Sequence, residues 1–121
     1  MSQLLIIDDN NDLRTLLKDY FEALDYEVLE ASSGRQGLEV LKAEGEIGAV
    51  ITDIIMPDMN GLDMIRALRK FNRRMPVLVM SGYEEELAQV KRLGVHGTFS
   101  KPPNLEEIKN LVELVLRKET A

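Results

Sequence analysis

Four places in the chain set oxygen-bearing or charged side chains directly after a short apolar run. Asp8 and Asp9 follow Leu4-Leu5-Ile6-Ile7, and Asp53 follows Ala49-Val50-Ile51-Thr52. Ser81 closes the run Val77 to Met80, and Lys101 follows Thr98-Phe99-Ser100. Each has a plain local explanation. Carboxylates favour the amino end of a following helix, and serine and lysine are ordinary at turns and surfaces. Brought together they imply more. Three carboxylates in one crevice repel one another unless a cation joins them. Mg2+ suits such a site, being a hard ion that takes a few carboxylates, waters and phosphate oxygens, and Mn2+ is a plausible substitute on the same ligands. A lysine adds nothing to metal binding and fits a second, anionic guest such as a phosphoryl group. The chemistry implied is phosphoryl transfer, in which the protein mainly positions groups and neutralises charge. A carboxylate can itself be the nucleophile. Asp53 stands alone and is the candidate, with Asp8-Asp9 left for the metal and Ser81 and Lys101 for the phosphoryl oxygens.

The elements that must carry these residues follow from periodicity. Five short apolar runs alternate with five helical segments. After the first run, Asn11 is expected to cap a helix whose apolar positions are Leu13, Leu16, Leu17, Tyr20, Phe21 and Leu24. Tyr26 to Ala31 alternates as an exposed or edge strand does, and Ser33 with Gln36 makes a capping box for a helix to about Glu44. The loop Met56-Pro57-Asp58-Met59-Asn60-Gly61 leads into a helix from about Leu62 to Phe71. Segment 84–93 is helical with a thin stripe of Leu87, Val90 and Leu93, ended by Gly94. Asn104 and Glu107 cap a last helix to about Arg117. Strict alternation of buried strands and helices predicts βαβ units, hence an α/β fold with a parallel sheet covered on both faces. In such sheets the ligand crevice lies at the carboxyl ends of the strands.

Composition narrows the function classes. The 121 residues fit a single domain over 1–121, with a hydrophobic fraction of 45% and a charged fraction of 30%. No cysteine is present, which excludes disulfides and thiolate chemistry and agrees with a cytoplasmic setting. No apolar stretch reaches the length of a membrane span. A net charge of −6 argues against direct nucleic-acid binding, and the basic stretch Arg66 to Arg74 reads as a solvated helix side and loop. His96, in a Gly-containing loop remote from the crevice, reads as a solvated loop residue.

Asp8-Asp9, Asp53-Ile54-Ile55-Met56-Pro57-Asp58-Met59-Asn60-Gly61, Ser81-Gly82 and Lys101-Pro102 together resemble the signature of response-regulator receiver domains of two-component signalling, over essentially the whole chain. The resemblance implies a flavodoxin-like, doubly wound (βα)5 fold of strand order 2-1-3-4-5. It implies a switch rather than a turnover enzyme, with Asp53 phosphorylated from a phosphohistidine on a sensor kinase or phosphotransfer protein. Asp9, Asp53 and the Ile55 carbonyl would bind magnesium directly, and Asp8 through water. Ser81 and Lys101 match the phosphoryl-sensing hydroxyl and lysine, and the Lys101-Pro102 bond is expected to be cis. Pro57 stiffens the loop, and Gly61 lets the chain turn into the following helix. The downstream partner would be a protein target or a fused output domain.

The departures from the family pattern concern output and signal lifetime. Where many receivers carry an aromatic ring, three residues before the lysine, this chain has Thr98. Phe99 points to the opposite face and into the core, so either Tyr83 takes over or the switch works without a ring. Pro103 replaces another usual aromatic. Ile55 and Tyr83 would flank the path of an attacking water, and neither can orient it, which predicts slow self-dephosphorylation. On the last helix Leu105, Ile108, Val112, Val115 and Leu116 form one face, with Leu111 on the flank and Leu114 on the far side. With helix 84–93 and strand 98–100, that helix, 104–117, offers a self-association face. Three other functions fit the residues less well. A haloacid-dehalogenase-type phosphatase would need a second aspartate where Ile55 stands. A flavin carrier would need a Ser/Thr/Gly-rich loop in place of Asp-Asp-Asn-Asn-Asp. A receiver that has lost phosphorylation would not keep every acidic, hydroxyl and lysine position.

Overall fold

A computed structural model describes residues 3–57, 59–82 and 84–120, without the side chains at 84 and 118–120. Asp58 and Tyr83 therefore lie outside the described residues. The elements are β1 (Gln3–Ile7), α1 (Asn11–Ala23), β2 (Glu27–Ala31), α2 (Gly34–Ala43), β3 (Ile47–Asp53), α3 (Gly61–Phe71), β4 (Val77–Ser81), α4 (Glu84–Lys91), β5 (Gly97–Ser100) and α5 (Leu105–Thr120). The strands form one sheet of order β2-β1-β3-β4-β5, every pair parallel. β2 is an edge strand, as its alternating pattern suggested. β3 is longer than the apolar run alone indicated, because Ile47 already pairs with Gln3 of β1.

Strand alternation divides the core in two. Leu4, Ile6, Ile51, Leu78 and Met80 face α1 and α5, packing on Leu17, Phe21, Ile108 and Val112. Leu5, Ile7, Val50 and Val79 face α2, α3 and α4, packing on Leu38, Leu41, Met64, Ile65, Leu68, Leu87 and Val90. Phe99 is buried on the α1/α5 side, as expected, so the core rather than the crevice receives its ring.

Several local expectations need correction. The cap of α1 is Asn10, not Asn11: its side chain accepts from the Leu13 N–H at 3.1 Å. Its own N–H is taken by Asp8 Oδ1 at 2.9 Å, which fixes the entry to the helix one residue early. Leu16 and Leu24, assigned to the apolar face of α1, are 50% and 41% exposed. Ser33 caps α2 as expected, but Gln36 reaches back to the N–H of Ser32 rather than Ser33. Gly61 is required for a reason other than turning. Its N–H donates to the Ile54 carbonyl at 2.6 Å, and a Cβ there would collide with the Asp53 carbonyl oxygen and lie 2.8 Å from Ile54 Cα.

The basic stretch is not uniformly solvated. Arg69 donates to the carbonyls of Leu93, Asn72, Met75 and Gly94, at 3.2, 3.2, 2.9 and 3.1 Å. One half-buried guanidinium thus joins the end of α3 to the turn after α4, where Gly94 adopts φ +71°. Burial lowers the pKa of this group from its ordinary value. His96 is exposed yet bonded as well as solvated: its N–H donates to the Val77 carbonyl at 2.8 Å, and Nδ1 accepts from the Val77 N–H at 3.4 Å.

Candidate functional site

The strand register assembles the site before any side chain is considered. Ile7 lies opposite Thr52, so Asp8 falls opposite Asp53 at the ends of β1 and β3. Asp53 pairs with Met80, leaving Ser81 one step beyond, and Ser81 pairs with Ser100, leaving Lys101 one step beyond that. The backbone continues the ladder there, since the Lys101 N–H donates to the Ser81 carbonyl at 3.1 Å. The Lys101-Pro102 peptide bond is cis, as expected.

The side chains converge accordingly. Carboxylate oxygens of Asp8, Asp9 and Asp53 lie within 4.8 Å of one another. Asp8 and Asp53 are buried, and Asp9 is exposed at the rim. Asp53 Oδ1 accepts from the Ile54 N–H at 2.7 Å, and Asp53 Oδ2 from Lys101 Nζ at 2.5 Å. Lys101 Nζ also stands 3.6 Å from Asp8 Oδ2, an oxygen that is buried and has no hydrogen-bond partner among the described residues. Arg14 Nη1 braces the same loop by donating to the Asp8 carbonyl at 2.7 Å. Beside these groups a cleft of about 420 Å³ is lined by Asp53, Ile55, Ser81, Gly82 and Lys101.

The electrostatics follow from burial and crowding. Burial pushes the Asp8 carboxyl above its ordinary value. Asp53 and Asp9 push the same way, against the Asn10 N–H and the Lys101 ammonium. For Lys101, burial alone would lower the pKa. The hydrogen bond to Asp53 and the charges of Asp8 and Asp53 together outweigh it and hold the ammonium above its usual value. Among the described residues three carboxylates face one ammonium, and a buried carboxylate oxygen lacks a donor. That is an unmet demand for positive charge, and a divalent cation with oxygen preference fits it.

The structure thus brings Asp8, Asp9, Asp53, Ser81, Ile55 and Lys101 to one crevice. Thr98 lies in β5 opposite Val79 and is half-buried. Sequence reasoning missed Glu86. Ser81 Oγ donates to Glu86 Oε2 at 3.3 Å. Glu86 also lines a second groove, of about 500 Å³, with Ile54, Ile55, Met56, Asn60, Leu62, Glu85 and Gln89. Only its place in the first turn of a helix starting at Glu84 would have pointed to it.

A five-stranded parallel α/β sheet with an acidic cluster and a lysine at its carboxyl edge defines a class of phosphoryl-handling switch domains. The chain belongs to the response regulator receiver domain family, whose model matches residues 4–113. It is 34% identical over 119 residues to the chemotaxis protein CheY1 of Helicobacter pylori, covering 94% of this chain and 96% of that one. It is 32% identical to the transcriptional regulatory protein CpxR of Escherichia coli, over 98% of this chain but 50% of that longer protein. Among solved structures, a response regulator receiver domain protein from Clostridium thermocellum superposes with a TM-score of 0.94 at 25% identity, covering 99% and 98% of the two chains. The response regulator TrrA of Thermotoga maritima, in complex with Mg2+ and BeF, gives 0.87 at 26% identity, covering 95% and 99%. The chain is a receiver domain of two-component systems.

Proposed function

We propose that Asp53 is the phosphoacceptor of a phosphohistidine-dependent switch and that residues 1–121 act as one receiver domain in the cytoplasm. The observation that carries this reading is the pairing of Asp53 Oδ2 with Lys101 at 2.5 Å, beside Asp8 and Asp9. An Asp53 oxygen attacks the phosphorus of the donor. The P–N bond breaks, its electron pair stays on the imidazole nitrogen, and that nitrogen takes up a proton. Lys101 neutralises a phosphoryl oxygen and Ser81 donates to another. Asp9, Asp53 and the Ile55 carbonyl, with Asp8 through water, would hold magnesium, which when bound would supply positive charge to the phosphoryl oxygens; Mn2+ could replace it. The donor is a sensor kinase or phosphotransfer protein, and the reader a protein target or fused output domain.

Incubation with acetyl phosphate and Mg2+ should give one hydroxylamine-labile phosphoryl group per chain, absent in Asp53→Asn. Equal labelling of that variant would sink the assignment, and continuous phosphate release from added esters would favour a phosphatase. Ile55 is 51% exposed on the cleft and offers the attacking water no polar group. Ile55→Asn should therefore shorten the life of the phosphorylated protein, measured by loss of label. Leu114, 45% exposed on α5, belongs to the self-association face with α4 and β5, and light scattering before and after phosphorylation tests that part.

A further inference from the structure

We propose that Arg14 is a positioning residue for the cation site: it clamps the peptide unit between Asp8 and Asp9, and its loss weakens Mg2+ binding. The inference rests on the reading of Asp8, Asp9 and Asp53 as the magnesium site, and it adds a side chain that touches none of the reacting atoms.

Arg14 lies in the first turn of α1, where its backbone N–H donates to the Asn10 carbonyl at 3.0 Å. Its side chain folds back over the β1–α1 loop. Nη1 donates to the Asp8 carbonyl at 2.7 Å, Nη2 to Asn11 Oδ1 at 2.7 Å and Nε to Glu30 Oε1 at 3.2 Å. The side chain is only 15% exposed. A planar fork engaged through all its nitrogens holds a direction that a single ammonium could not.

The clamped carbonyl belongs to the peptide unit that joins Asp8 to Asp9, and planarity makes that unit move as one body. Asp8 has further anchors. Its N–H donates to the Ala31 carbonyl at 3.1 Å, and its Oδ1 accepts from the Asn10 N–H at 2.9 Å. Asp9 is exposed, and among the described residues it has no side-chain hydrogen bond or ion pair of its own. The direction of its carboxylate is therefore inherited from the backbone that Arg14 holds. Glu30, at the end of the edge strand β2, completes the clamp. Its carboxylate offsets the guanidinium charge, so that a cation can be bound nearby without a repelling neighbour.

Calorimetric titration of the full, unphosphorylated chain with MgCl2 reads the effect without any phosphoryl chemistry. Arg14→Ala should weaken Mg2+ binding by roughly tenfold, the low end of the cost of removing a group that orients a metal ligand. Arg14→Lys should bind almost as weakly, because an ammonium cannot serve Asp8, Asn11 and Glu30 together. Glu30→Ala should lose roughly threefold, the scale of a part-exposed ion pair, and nothing further in the Arg14→Ala background. Lys18→Ala removes the 3.6 Å pair with Glu22 on the same helix and should keep the parent's affinity. With acetyl phosphate as donor, the Mg2+ concentration for half-maximal labelling of Arg14→Ala should rise in step with its Kd. The rate at saturating Mg2+ should stay near the parent's, the pattern of lost binding rather than lost chemistry. Unchanged Mg2+ affinity in Arg14→Ala, whatever its urea midpoint, would overturn the proposal, as would full affinity in Arg14→Lys. A parent that takes up no Mg2+ would overturn the reading of the acidic cluster itself, and the proposal with it.

Discussion

Helices α3 and α4 cover the same face of the sheet and flank the same crevice, yet they are fastened in opposite ways. α3 begins in contact with β3, the strand that ends at Asp53. Gly61 leaves no room for a Cβ against the Asp53 carbonyl, its N–H bonds Ile54, and Asn60 caps Asp63. Met64, Ile65 and Leu68 are fully buried behind it, and Arg69 locks its end through four carbonyls. α4 follows Gly82, around which a Cβ would meet nothing within 4 Å. It is tied to the site by a 3.3 Å hydrogen bond. The contrast puts firm backbone contacts beside Asp53 and few ties at the start of α4, so the two junctions should differ in how easily they open.

The sharpest way to break this contrast is to add one carbon to each junction. Gly61→Ala should destabilise by about 3 kcal/mol, because the colliding atoms are backbone and cannot step aside. The midpoint of urea unfolding measures it, and an unchanged midpoint would remove the claim of rigidity at α3. Arg69→Ala should cost about 2 kcal/mol by leaving partly buried carbonyls without a donor. Arg69→Lys should recover little, since a compact ammonium cannot span four acceptors; full recovery would show that charge alone matters.

At the carboxyl ends of β1 and β3, the acidic pocket should respond to pH and metal with a definite sign. The native pKa of Asp8 is raised above the ordinary 3.8. The native state therefore holds more protons than the unfolded one across that window, and stability falls as pH climbs through it. In metal-free buffer Asp8→Asn should raise Tm at neutral pH, with the gain disappearing below the ordinary carboxylate value. Magnesium should raise the Tm of the parent most above the window and lose its effect below it; a gain independent of pH would mean the ion binds elsewhere. The smallest effect is expected at Gly82→Ala. Its φ lies outside the left-handed region, so alanine should be neutral or stabilise by about 0.5 kcal/mol through the unfolded chain. A large loss there would erase the difference between the two junctions.

Much of this was legible in the chain because alternation, caps and strand-end residues are local signals. The strands and the grouping of Asp8, Asp9, Asp53, Ser81 and Lys101 follow from them, while the strand order came from the resemblance alone. The misreadings share a cause. Asn10 and Asn11 are equally good caps in isolation, and the Asp8 side chain chose between them. Arg69 looked like any surface cation because two of its acceptors lie 24 and 25 residues away. Glu86 was one acid among several until the start of α4 fixed which one faced Ser81.

By itself the sequence determined which chemical groups stand at the strand ends, since a strand buried on both faces must be apolar until it emerges. Folding alone decided what those groups feel. That Asp8 is fully buried with one oxygen unsatisfied, and that Asp53 is held by a lysine 48 residues distant, are consequences of register and packing. Charge and pKa depend on neighbours in space, and in a parallel sheet those neighbours come from far along the chain.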